Sequence, residues 1–97
     1  MATVAIPNNV DQWIDSYISY LEAALGELHE VDREWDDWDE MSKLTYVVEW
    51  DIKRDRFHQL EQWAQRDLLT DGQKRQYQVL LKLLEQRQPI LDRILAD

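Results

Sequence analysis

Residues 10–38 read VDQWIDSYISYLEAALGELHEVDREWDDW, and their spacing decides the fold. Apolar side chains recur at Val10, Ile14, Tyr17, Leu21, Ala24, Leu28, Val31, Trp35 and Trp38. A helix has 3.6 residues per turn, so this alternation of long and short steps keeps them on one side and predicts one long buried seam. At 100° per residue the set fills an arc about 160° wide, broader than a two-stranded seam requires. Trp13, Ile18, Tyr20 and Leu25 occupy its flanks, so this helix is expected to touch two neighbours. Asn9 with Gln12 forms a capping-box pattern ahead of it, and Asp11 suits the first turn. Gly26 falls on the polar face, where it costs ~1 kcal/mol relative to Ala and marks a bend. Asp32 is the acid inside the arc. Either water or a base reaches it near the helix end, or it forms a buried ion pair that fixes register.

Outward from that stretch the chain turns at Glu34-Trp35-Asp36-Asp37-Trp38-Asp39-Glu40, a corner without Gly or Pro. Asp36, Asp37 or Asp39 can each cap a new helix. An unbroken helix through the corner would be about 60 residues long, outside the range of small domains. The second helix is expected over residues 39–69 with two apolar faces. Met41, Leu44, Val48 and Ile52 line one, and Tyr46, Trp50, Phe57, Leu60, Ala64 and Leu68 line the other. Thr70-Asp71-Gly72-Gln73 is the clearest break, and Thr70 with Gln73 repeats the capping-box pattern. The third helix then runs over 71–96, with Tyr77, Leu80, Leu81, Leu83, Leu84, Leu91, Ile94 and Leu95 as its apolar side. Pro89 removes a backbone donor inside it, predicting a kink or a short fourth helix.

The 97 residues make one domain, all-α: an elongated antiparallel three-helix bundle with helices at 9–37, 39–69 and 71–96. Two Gly and two Pro agree with few turns and long regular elements. The absence of Cys excludes disulfides, thiolate metal sites and a cysteine nucleophile together. Met1–Pro7 lack the basic start and apolar core of a signal peptide, and no apolar run reaches the ~20 residues that cross a bilayer. A cytoplasmic protein is the expectation.

Net charge is −9, and it is concentrated: residues 1–40 hold eleven acids and one base, Arg33. Such a field repels nucleic acid and anionic membranes and attracts basic partners. No direct nucleic-acid or membrane contact is expected. His29 and His58 are the only histidines. With a fold-back near Trp38 they lie roughly 15 Å apart along the helices at 1.5 Å per residue, too far to share a metal. No Gly-x-Ser-x-Gly elbow and no glycine-rich phosphate loop is present. The expectation is a non-catalytic protein with no cofactor and no metal site.

Trp13, Trp50 and Trp63 are expected in the core. Trp35 and Trp38 either close the corner or join Asp36, Asp37, Asp39 and Glu40 in an acidic-aromatic surface for a basic partner protein. Met41, Leu44, Val48 and Ile52 either pack against the third helix or form an exposed stripe for a homodimer or a partner's helix. The function expected is protein–protein interaction through helix faces, as an adaptor, regulator or assembly factor. Two alternatives are an acidic nucleic-acid mimic that blocks a DNA- or RNA-binding protein, and a metal- or cofactor-binding helical bundle.

Overall fold

A computed structural model describes residues 9–95. The Met1–Pro7 segment and the expected helix end at Ala96 lie outside them. Four helices, α1 (Val10–Gly26), α2 (Leu28–Glu34), α3 (Glu40–Gln65) and α4 (Asp71–Leu95), account for most of the chain, with a 3-10 turn at Trp35–Asp37. There is no strand among the described residues. Of the predicted seam, Ile14, Leu21 and Leu28 are wholly enclosed, with Ala24, Val31 and Trp35 beside them, and the flanking Ile18 and Leu25 are buried as deeply. Val10, Tyr17 and Trp38 complete it, partly buried.

The first helix is interrupted where Gly26 predicts a bend. Glu27 keeps right-handed helical dihedrals, φ −69 and ψ −20, and its N–H donates to Ala23 O at 3.1 Å. A Cβ at Gly26 would meet nothing within 4 Å, so no steric demand requires glycine there. The capping box expected at Asn9 and Gln12 does not form. Asn9 has ψ 39 instead of an extended backbone, and its side chain makes no cap; its carbonyl accepts from Gln12 N–H at 3.0 Å.

Beyond Glu34 the chain tightens into the 3-10 turn, and Trp38 and Asp39 are extended. Of the three candidate acids, Asp39 caps α3: its carboxylate accepts from Ser42 N–H at 2.7 Å. α3 stops at Gln65, four residues before the expected Leu69. Asp67 takes the left-handed conformation, φ 59, and Leu68 N–H donates to Trp63 O while Asp67 N–H donates to Ala64 O. That pair of bonds is a Schellman stop, usually built on glycine. Apolar periodicity through Leu68 hid it.

α4 opens on the box predicted from Thr70 and Gln73. Thr70 N–H donates to Gln73 Oε1 at 3.0 Å, and Gln73 N–H to Thr70 Oγ1 at 3.2 Å. Gln73 is only 5% exposed, because its amide also reaches α1, donating to Asp11 O at 3.1 Å and Asp15 Oδ1 at 2.9 Å. At the other end of α4, Arg93 Nε donates to Asp32 Oδ1 and its Nη2 to Asp32 O, each at 2.8 Å. Asp32 is thus met by a base at a half-exposed site. α4 runs unbroken through Pro89, so no separate helix begins there.

α1 touches both α3 and α4, α2 packs on α4, and α3 and α4 touch each other less than either touches α1. Between those two a groove of about 360 Å³ opens, lined by Trp50, Phe57, Tyr77 and Leu84 among others. The described residues extend 48 × 31 × 18 Å. Trp13 departs from expectation: it is exposed, because Tyr17 stands between it and Trp63, with ring centroids 6.1 and 5.2 Å away.

The buried amide of Gln73 makes a test of this architecture. Gln73→Glu keeps an acceptor for Thr70 N–H, loses both donors to α1 and sets a carboxylate against Asp15. Denaturant unfolding at pH 7 is expected to give a loss of about 2–3 kcal/mol. The difference from wild type should narrow in acid, as protonation removes the repulsion.

Candidate interaction face

Around the first half of α3 the structure joins the two surfaces that the sequence presents separately. Met41, Leu44, Val48 and Ile52 are exposed at 71%, 57%, 57% and 52%. At 100° per residue they share the side of α3 turned away from Tyr46, Trp50 and Leu60, which are buried. They therefore do not pack against α4. Two shallow depressions of about 320 Å³ flank this line. One is lined by Trp35, Glu40, Lys43, Leu44 and Val47, and the other by Trp38, Met41, Ser42, Thr45, Tyr46 and Glu49. Trp38 and Met41 line the same depression, so corner and stripe are continuous.

The two corner tryptophans part company. Trp35 is 2% exposed and belongs to the core, so it is not a side chain a partner can grip; this corrects its place in the docking surface. Trp38 is half-buried. Their rings are 5.6 Å apart, and both meet Tyr46, at 6.1 Å from Trp35 and 5.6 Å from Trp38. Tyr46 is in turn 6.4 Å from Trp50. The cluster closes the corner, and no turn glycine is needed because no corner residue takes a positive φ.

The corner acids also differ in their work. Asp36 reaches Arg93 at 3.5 Å, and Asp39 is the α3 cap. The backbone N–H of Ser42, with its hydroxyl behind it, holds the Asp39 carboxyl below its ordinary pKa. Asp37 and Glu40 are exposed and form no ion pair among the described residues.

Charge is sorted around α3. Asp51 and Asp55 project beside the apolar line, Asp55 one turn past Ile52. The bases nearby turn elsewhere. Lys43 Nζ lies 5.5 Å from the Trp35 ring, and the buried Lys53 lies 5.4 Å from Tyr46 and 5.1 Å from Trp50. Arg56 stacks on Tyr17 and Tyr20 at 4.7 and 5.0 Å. Arg54 pairs with Asp51 at 3.5 Å. The apolar line is thus edged by carboxylates, while lysines are drawn onto aromatic faces.

His29 and His58 are both exposed, and His58 Nε2 contacts Gln62 Nε2 at 3.1 Å. Among the described residues no three His, Asp or Glu side chains gather to hold a metal ion. No helix among them is long and apolar enough to cross a membrane. Sequence reasoning missed the depression of Trp38, Tyr46 and Glu49. Its signal was Ser42, Thr45, Tyr46 and Glu49 at helical spacing on one flank of α3, with Trp38 joining across a turn. Compared with known proteins, the chain matches no family model, no curated protein and no solved structure.

Two measurements check this site. Trp35→Ala opens a cavity in the core and is expected to cost about 3–5 kcal/mol by denaturant unfolding, with Trp38→Ala costing less than half of that. Acid titration tests the cap. A carboxyl whose folded pKa is depressed stabilises above its unfolded value and loses that contribution as pH falls through the folded value. Asp39 acts this way, as does Asp67, which Lys74 holds down from 2.9 Å. Asp39→Asn should therefore leave the thermal midpoint at pH 7 nearly unchanged and make its fall below pH ~4 shallower. An identical acid dependence would assign the effect to other carboxylates.

Proposed function

We propose that this chain is a small acidic, non-catalytic interaction protein that engages another protein through the exposed face of α3. The observation that carries the reading is the line of Met41, Leu44, Val48 and Ile52, each more than half exposed on one helix face. Isolated surface leucines are ordinary, but a contiguous row with helical spacing matches what an amphipathic partner helix buries. The carboxylates of Glu40, Asp51 and Asp55 beside it favour a partner with basic flanks. Trp38, Asp37 and Glu40 extend the face across the corner.

The scaffold in this proposal is an antiparallel three-helix bundle, up-down-up, with α4 bending at Pro89. Support comes from contacts at both ends. Gln73 meets Asp11 and Asp15 while Arg93 meets Asp32, contacts that favour α4 running in the same sense as α1 and α2. Tyr17 meets Trp63 while Trp35 meets Tyr46, contacts that favour α3 running in the opposite sense. Pairing of two copies through the same line is the second reading. It would bring the Asp51 and Glu40 edges of one copy against those of the other, an unfavourable match.

Light scattering on wild type and Val48→Glu at low and high salt tests both readings. Val48 is exposed, so circular dichroism of the variant should be unchanged. A wild-type monomer whose capture of a partner is lost in Val48→Glu supports the proposal. A wild-type dimer that Val48→Glu splits assigns the line to self-association. Partner capture that survives Val48→Glu removes the α3 face from the function.

A further inference from the structure

The depression beside the apolar line has walls of a particular chemistry. Trp38 and Tyr46 stand at 88° to one another with centroids 5.6 Å apart, and Glu49, Met41, Ser42 and Thr45 complete it. Trp38 is half-buried, so part of its ring remains open to solvent. Tyr46 is buried, and its phenolic oxygen has no hydrogen-bond partner among the described residues. Burial raises the Tyr46 pKa, and the carboxylates of Glu27 and Glu49 add to the shift. Glu49 stands on one side of this ring, and Lys53 covers it from 5.4 Å. Glu49 is exposed and forms no ion pair among the described residues.

Aromatic faces carry negative quadrupole charge and attract ammonium and guanidinium groups, most strongly where water is displaced. The molecule already uses this attraction around the corner: Lys43 covers Trp35, and Lys53 covers Tyr46 and Trp50. Trp38 is the corner ring over which no cation lies among the described residues. Its neighbour Glu49 supplies an unpaired countercharge.

We infer that the Trp38–Tyr46–Glu49 depression receives a lysine or arginine side chain from a basic amphipathic helix laid along Met41, Leu44, Val48 and Ile52. The inference rests on the proposed use of the α3 face and names the partner's chemistry at one position. Helix geometry favours it, because a cation three or four residues from an apolar anchor lies at the edge of the anchor's stripe. A second copy of the chain is a poor donor. The lysines nearest its own line are committed to Trp35, Tyr46 and Trp50, and its exposed edge is acidic.

The test uses the full chain and two synthetic helical peptides with the same leucine seam, one flanked by lysines and the other by glutamines. Calorimetric titration at constant salt is expected to show the lysine peptide binding about tenfold more tightly. Glu49→Gln should reduce that preference several-fold without changing affinity for the glutamine peptide, and Trp38→Leu should reduce it while weakening both peptides. Glu49 is exposed, so its variant keeps the test sound even if Trp38→Leu disturbs the corner. Equal binding of the two peptides, or a preference undiminished in both variants, overturns the cation site while leaving the α3 face standing. Val48→Ser should weaken both peptides. If wild type binds neither, the α3 face and the cation site fall together.

Discussion

Among the described residues, the helices are placed by the two-sided burial of α1, with α2 continuing its contact with α4. Ile14, Leu21, Leu25 and Leu28 have no exposed surface, and helices that hardly touch each other cover them from either flank. Burial of such side chains is the main favourable term in a domain this small. One central element serving two neighbours leaves the outer helices short of partners. α3 therefore keeps a whole side in solvent, and α4 leaves Val79 exposed. The candidate interaction face is a consequence of that arrangement.

Apolar burial is non-directional, so it does not by itself set the height of α4 along α1. Two polar ties do. Gln73 spends its amide on Thr70 at one end and on Asp11 and Asp15 at the other, joining the start of α4 to the start of α1. Arg93 binds the carboxylate and the carbonyl of Asp32 about twenty residues further along. A slip of α4 by one turn would break both at once. Gln73 carries the stricter constraint, because a buried amide without partners is costly, whereas the half-exposed Arg93 can turn to water.

The fold was largely legible because its signals are periodic. The seam of residues 10–38, the Thr70–Gln73 box and an acid cap at the corner all rest on spacings that sequence displays. What sequence concealed was local backbone geometry and lateral packing. Asp67 ends α3 in a conformation normally given to glycine, so the continuing apolar period at Leu68 pointed past the true end. Trp13 is displaced from the core by Tyr17, a matter of which neighbouring aromatic reaches Trp63 first. Trp35 and Trp38 are alike in sequence context, and only the 3-10 turn sends one inward and leaves the other half exposed. For Met41, Leu44, Val48 and Ile52, the residue pattern fixes their shared face; whether another helix covers it depends on where α4 lies.

An exposed apolar row is a hazard in water, and the charge pattern answers it. With net charge −9, concentrated in residues 1–40, any two copies repel at a distance. Carboxylates at the edges of the row extend that repulsion to close approach, while the nearby lysines are withdrawn onto Trp35, Tyr46 and Trp50. The same arrangement attracts a helix of opposite charge. In the proposed use of this face, electrostatics makes one apolar surface unfavourable to its own kind and favourable to a basic partner, a route to specificity that hydrophobicity alone does not offer.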